Sequence, residues 1–330
     1  MKNFKFIYNR KITYIISTVL VVLSLVALFT KGPSWSIDFT GGQQIIVKLD
    51  PIDDTHDKLS VNAVREALDK AGLKDATIQN LSYKMSKGTE DATQTEKSAL
   101  FMIKTKEDGE ISGDATGLGQ SDILVALKTG IKTHTIDEQA TSSEVVSASI
   151  GKELKDKAWK SVIIALIFIV IYVGIRFQFN FGIAAIIALF HDVIITLGIF
   201  CILGLDVSAA IVAAILSIVG YSINDTIVVF DRIREDMRKR RSTQDLNEVF
   251  NTAINRTLSR TIITSCTTLF AAVSLYLFAG IVIKDFAFAI IIGTLIGTYS
   301  SIFVASPIVL DYFHSKHNDK SVFGRILNKK

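Results

Sequence analysis

A small set of residues in this 330-residue chain has the types and spacing to handle an ion or a proton. The stretch GYSINDTIVVFDR, at 220–232, puts Asp225 beside Asn224 inside an otherwise apolar run. At helical spacing Tyr221, Ser222, Asp225 and Arg232 share one face, which Val228 and Val229 complete. A hydroxyl pair one turn before a carboxylate can hydrogen-bond it or relay a proton. The competing reading is a polar clasp between helices. His191 and Asp192 form a second ionisable pair within an apolar run, roughly 15 Å from its start near Gly182. They are costly there unless they face protein, paired with neighbours or with Asn224 and Asp225; a structural polar pair is the alternative. In NRTLSRTIITSCTT, at 255–268, Arg260 heads a stripe with Thr264, Thr267, Ala271 and Ser274. Arg260 either counters the charge of Asp225 or snorkels to lipid headgroups as an anchor.

These residues are positioned by long apolar segments. The chain is 49% hydrophobic yet 21% charged, with a mean hydropathy of +0.39, so the two classes are segregated along it. The runs 12–29, 158–175, 183–205, 208–230, 261–283 and 286–310 each suffice, at ~1.5 Å per residue, to cross a ~30 Å hydrocarbon core. The expected fold is an α-helical membrane protein with six transmembrane helices, one before and five after an α+β domain. The first run is longer than the ~7–15 residues of a signal-peptide core and is read as an uncleaved anchor. The segment GTLIG brings Gly293, Gly297 and Ser300 to one face, suited to close helix packing.

Lysine and arginine crowd 2–11, Arg176, 232–260 and 316–330, whereas the alternate short loops hold only Lys284. By the positive-inside rule both termini are cytoplasmic and the segment after the first helix lies outside. The expected parts are the N-terminus and first helix at 1–30, an extracytoplasmic domain at 31–157, the remaining helices at 158–312 and a cytoplasmic tail at 313–330. The net charge of +4 follows from this bias and gives no warrant for nucleic-acid binding. Cys201 and Cys266 both fall in apolar runs, so neither a structural disulfide nor a metal site is expected.

Within 31–157 the expected order is βαββαβ, the ferredoxin-like pattern. Trp35–Leu49 (35–49) is strand-like with a Gly-Gly break; Ser60 caps a helix that stops at Gly72. Strands follow at 76–83 and 98–105, separated by a polar segment, then a helix from Ser121 and a last strand at 144–150. His56 and His134 stand alone in polar contexts and are expected on the solvated surface. No nucleophile and base share a recognisable spacing, so an enzyme is not expected.

Taken together, SIDFTGG after the first helix, GKEL before the second, HDV in the third, GYSINDTIVVFDRIRED in the fourth and LSRTIITSCTT in the fifth resemble the SecF family. This family is the smaller half of the SecD–SecF accessory complex of the bacterial Sec translocase, in the resistance-nodulation-division (RND) superfamily. The resemblance runs from the first helix to the sixth and is weakest around 86–120. Cys266 stands where a small residue such as glycine is expected.

The resemblance implies an accessory subunit in the bacterial cytoplasmic membrane. It would use the proton or sodium gradient, without ATP or any cofactor, to promote preprotein export. Asp225 matches the family's intramembrane carboxylate and Arg260 its fifth-helix arginine. The implied partners are SecD, the translocon channel, unfolded secretory preproteins and membrane lipids. Half of an RND-type small-molecule or lipid exporter is an alternative, as is a structural assembly factor without ion coupling. An intramembrane aspartyl protease built on Asp192 and Asp225 would need Gly-x-Gly-Asp where this chain has Ile-Asn-Asp.

Overall fold

The computed structural model describes residues 4–53, 59–73, 76–81, 98–105, 120–177, 179–240 and 244–315. His56, most of the 86–120 segment and the basic tail beyond 315 lie outside the described residues. The chain divides into two compact units, residues 35–158 and residues 1–34 with 159–330.

The first unit is built on a four-stranded antiparallel sheet. Its strands are β1 (Gly42–Pro51), β2 (Thr77–Asn80), β3 (Ala99–Thr105) and β4 (His134–Val146), in the order β2-β3-β1-β4. In the central strand β1, Ile45 faces Ile103 and Val47 faces Phe101 across one ladder, and Leu49 faces Ile136 across the other. Period-two alternation sends Ile45, Val47 and Leu49 into one core with Phe101 and Ile103. Two helices close that core: α2 (Val61–Lys70), through Val64 and Leu68, and α3 (Gln120–Gly130), through Ile123 and Leu127. Ser60 Oγ accepts the amide of Ala63 to start α2, and Gly72 leaves it at φ 88°. At Gly130 a Cβ would lie 2.5 Å from that of Ala67, so α2 and α3 meet where a side chain is missing.

The Gly-Gly break has a physical cause. A one-turn helix, Ile37–Thr40, is capped by Ser36 and ends at Gly41, with φ 71°; Gly42 follows at φ 119°. Both lie in the region that L side chains avoid. A Cβ on Gly41 would also sit 2.6 Å from Ala148 Cα, and one on Gly151 would sit 2.9 Å from Gly41 N.

The second unit is helical: α1 (Arg10–Thr30), most of α4 (Ala148–Arg176), α5 (Phe179–Leu203), α6 (Ala209–Arg238), α7 (Leu246–Phe278) and α8 (Ile281–Ser300). Beyond α8 a π turn spans Ser301–Ala305, and helix resumes to 315. All six helical segments are long and apolar enough to cross a membrane. A continuous helix suits that setting because it satisfies its backbone hydrogen bonds internally. α6 packs on α5, α7 and α8, and α1 packs on α5. Phe230 of α6 anchors one end of the bundle, edge-on to Phe181 at 5.0 Å and to Phe177 at 5.9 Å. Gly198 of α5 meets Ser24 of α1 where no Cβ would fit.

Several boundaries differ from the sequence reading. The last strand begins at His134, and 148–150 are helical: Ser147 starts α4, its Oγ accepting the amide of Ile150 and its carbonyl that of Gly151. The fifth helix ends at Phe278, where Ala279 turns extended and Gly280 caps the next. The strand expected at 76–83 is shorter, Thr77–Asn80. His134 is buried, 6% exposed, rather than on the solvated surface: it pairs with Pro51 in the ladder, and its Nδ1 lies in a hydrogen bond with Thr133 Oγ1.

Candidate functional site

α6 carries Asp225 into protein rather than outward: the residue is 2% exposed. Its Oδ1 faces the hydroxyl of Thr264 on α7 at 3.4 Å, and its Oδ2 has no hydrogen-bond partner among the described residues. Even the Thr264 contact is contested, because that hydroxyl also lies 2.9 Å from Thr261 O and 3.0 Å from Arg260 O. One hydroxyl proton serves one good acceptor, and the backbone ones are nearer. A buried carboxylate with this little support is costly as an anion unless a cation or proton joins it.

The hydroxyls placed on the same face by spacing turn elsewhere. Ser222 donates to Asp192 Oδ2 at 2.5 Å, and Tyr221 donates to Ser265 Oγ at 3.0 Å. Ser265 in turn meets Thr298 Oγ1 at 2.7 Å, linking α6, α7 and α8. Neither hydroxyl reaches Asp225, because helix twist and the neighbouring helices give each a closer acceptor. Asn224 is exposed and outside the cluster. Arg260 is exposed too, and among the described residues no ion pair joins it to Asp225. Thr267 is exposed, its hydroxyl donating to Thr264 O at 2.8 Å.

Asp192 is the better-supported carboxylate. It is fully buried, and its partners come from three helices. Oδ1 lies 2.9 Å from Nδ1 of His191 on α5, while Oδ2 accepts Ser222 of α6 and, at 2.8 Å, Ser300 of α8. His191 and Asp192 therefore pair with each other and with two serines, and not with Asn224 or Asp225.

Close helix approach sets this geometry. A Cβ on Gly293 would overlap the Ile218 side chain, and one on Gly297 would sit 3.0 Å from Ser222 Cβ. α8 thus lies directly against α6 at the level of the Ser222 bond. Ser300 sits where α8 gives way to the π turn, and Ser306 Oγ donates back to Ser301 O at 2.8 Å. A π turn widens one helical turn and re-aims the side chains around it.

Sequence reasoning missed several members. Tyr299 stacks on His191 at 6.2 Å and its hydroxyl meets Ser17 of α1 at 3.0 Å. At one end of the bundle Arg10 pairs with Asp311 at 3.0 Å, and Tyr14 donates to the same carboxylate. Asn251 and Asn255 of α7 clasp the backbone of Phe4. The charged end of α6 was missed as well: Arg232 pairs with Glu235 and Asp236, a signal available from i,i+3 and i,i+4 spacing, while Asp231 pairs with Arg176 at 2.6 Å and Asp236 with Arg256 at 3.1 Å across helices. Cys201 and Cys266 are free thiols, and among the described residues no group of His, Cys, Asp and Glu could hold a metal.

Comparison with known proteins assigns the family. Residues 126–315 match the model described as protein export membrane protein SecD/SecF, C-terminal, and residues 26–51 match the SecD/SecF GG motif, which contains Gly41 and Gly42. The protein translocase subunit SecF of Rhodothermus marinus is 39% identical over 94% of this chain and 93% of its own length. Its counterpart from Vibrio alginolyticus is 37% identical over 94% and 90%. The crystal structure of SecDF from Thermus thermophilus, a translocon-associated membrane protein, superposes with a TM-score of 0.76 at 34% identity. This chain is covered over 95% of its length and spans 39% of that longer chain. A second SecDF crystal structure, in a super-membrane-facing form, gives 0.65 at 33% identity. The six apolar helices and these relatives make this a multi-pass membrane protein and a subunit of the Sec protein translocase, and the chain belongs to the SecF family.

Proposed function

We propose that this chain works with a SecD partner, coupling the passage of protons or sodium ions down their gradient to the export of unfolded preproteins through the translocon channel. The observation that carries this reading is Asp225, buried at mid-helix with one oxygen unpartnered and the other only loosely held. A site that binds and releases a small cation needs such an unfilled coordination, whereas a clasp would spend both oxygens. Arg260, one helix away and free of ion pairs among the described residues, supplies a positive charge that excludes or displaces the cation. Thr264 and Thr267 line the approach along α7.

A SecD partner is supported by the SecDF structures, whose single chains extend well beyond the part matched here. The strand order β2-β3-β1-β4, with two helices sharing the core, supports a ferredoxin-like domain set between one helix and five. The distribution of lysine and arginine supports cytoplasmic termini in a bacterial inner membrane, with that domain outside in contact with SecD or preprotein. In this reading the chain is no enzyme, holds no cofactor and binds no nucleic acid; lipid and protein are its surroundings.

The test is pulse-labelled export of a secretory protein in cells whose only SecF is this chain, wild type against Asp225→Asn at matched expression. Asn keeps the volume and cannot titrate. Precursor is expected to accumulate in the variant although it inserts stably with its partner. Undiminished export would reduce Asp225 to a structural contact and the chain to an assembly factor.

A further inference from the structure

A second ionisable centre lies in the same bundle and is unused by the Asp225 reading. His191 is 6% exposed and Asp192 not at all. Nδ1 of His191 sits 2.9 Å from Asp192 Oδ1, while Nε2 is buried without a hydrogen-bond partner. Asp192 Oδ2 already accepts two hydroxyl protons, from Ser222 and Ser300. With Oδ2 taken by the two serines, an anionic Asp192 leaves Oδ1 to accept hydrogen from Nδ1. That tautomer leaves a lone pair on Nε2 with no donor to it among the described residues.

We propose that His191 Nε2 is a proton-binding site, oriented by Asp192 and separate from Asp225. A proton taken up at the Nε2 lone pair converts the imidazole to an imidazolium, and its charge is balanced by the carboxylate already bonded to Nδ1. No bond other than N–H forms, and no other group changes oxidation state.

The groups that neighbouring helices bring to this level fit the assignment. α8 supplies Tyr299, whose ring lies at 24° to the imidazole with centroids 6.2 Å apart and whose hydroxyl is turned to α1. α6 supplies Ser222, flanked by two titratable groups, Tyr221, whose hydroxyl is bonded to Ser265, and Asp225. α1 supplies Ser17, uncharged and bonded to Tyr299; of its own ionisable groups, Tyr14 and Arg10 are engaged with Asp311 and Lys11 is exposed. Among the described residues no lysine or arginine pairs with Asp192, so the imidazolium is the one cation available to it. Loading has a mechanical consequence. The imidazolium draws on the same carboxylate that holds Ser222 and Ser300, so protonation changes the tie between α5, α6 and α8. The inference goes beyond the Asp225 reading and stands whether or not that one does.

The experiment uses the full chain with its partner subunit in lipid vesicles, labelled with ¹⁵N-histidine. Imidazole nitrogen spectra are recorded from about pH 5 to about pH 9, the span in which histidine changes charge. His191→Gln identifies the resonance by its loss. The expected result is a histidine protonated at Nδ1 throughout, with Nε2 gaining one proton in a single step. If His191→Gln fails to insert, Asp192→Asn identifies the ring instead, because replacing the carboxylate beside Nδ1 by a neutral amide shifts that nitrogen's resonance. A His191 carrying hydrogen on Nε2 at every pH, or one that never changes charge, would overturn the proposal and leave a structural pair. Neither outcome depends on export, so it is read independently of Asp225→Asn.

Discussion

Two carboxylates in one bundle are treated differently, and the difference lies in their partners. Asp192 engages both oxygens with three partners; Asp225 has only the Thr264 hydroxyl, at 3.4 Å, within hydrogen-bond geometry, and its other oxygen has no partner among the described residues. Removing the first should therefore unbalance the fold, and removing the second should cost function more than stability. Asp192→Ala strands Ser222, Ser300 and His191 in the interior, and breaking a buried charge-assisted set costs about 3–5 kcal/mol. The expected outcome is a marked fall in the thermal midpoint of the detergent-solubilised protein, with Asp192→Asn intermediate and Asp225→Asn close to wild type. Equal midpoints for all three would refute the contrast drawn between the two sites.

At the scale of elements, glycine decides where helices and strands approach. α8 lies against α6 because Gly293 offers no side chain to Ile218. Gly293→Val forces overlap and should cost about 1–3 kcal/mol, as overpacking does. Ile218→Ala in the same chain should restore part of the loss, and the double-mutant cycle in thermal midpoints measures it; simple additivity would argue against direct contact.

The sheet has its own electrostatic clip. Lys48 of β1 lies 3.0 Å from Asp50 and 3.1 Å from Asp137 of β4. Partial burial alone would lower the Lys48 ammonium, but hydrogen bonds to the two carboxylates and their charge outweigh it and hold it above its ordinary value. A lysine raised in the folded state stabilises fully below its unfolded titration near ~10.4 and ceases to stabilise as pH climbs through the folded value. The stability advantage of wild type over Lys48→Met should thus be constant at neutral pH and shrink above that range. An advantage that grows with alkalinity would mean the sign is wrong.

For the molecule as a whole, contacts distant in sequence hold the helical unit at its ends. The backbone of Phe4 is clasped by Asn251 and Asn255, and Ile7 is fully buried against the same bundle. Replacing both asparagines by alanine should release this segment, so that trypsin cuts at Lys5 several-fold faster in the solubilised protein while the rest of the digestion pattern is unchanged. An unaltered cutting rate would show that Ile7 and the Arg10–Asp311 pair suffice to hold it.

Composition and short-range period determined six apolar helices, the cap at Ser60, the stop at Gly72, the Gly-Gly break and the presence of ionisable groups among apolar neighbours. These are local properties, fixed by which residues lie within a few positions of one another. The partners of those groups were another matter. The face shared by Tyr221, Ser222 and Asp225 is real on a helical wheel, yet Ser222 turned to Asp192, Tyr221 to Ser265, and Arg260 forms no ion pair with Asp225 among the described residues. His134 was buried despite its polar flanks, and the π turn after Ser300 left no mark in the residue pattern. Only the tertiary structure decided these points, because a hydrogen bond goes to the nearest suitable acceptor in space. Distances between helices depend on packing that joins residues far apart in the chain.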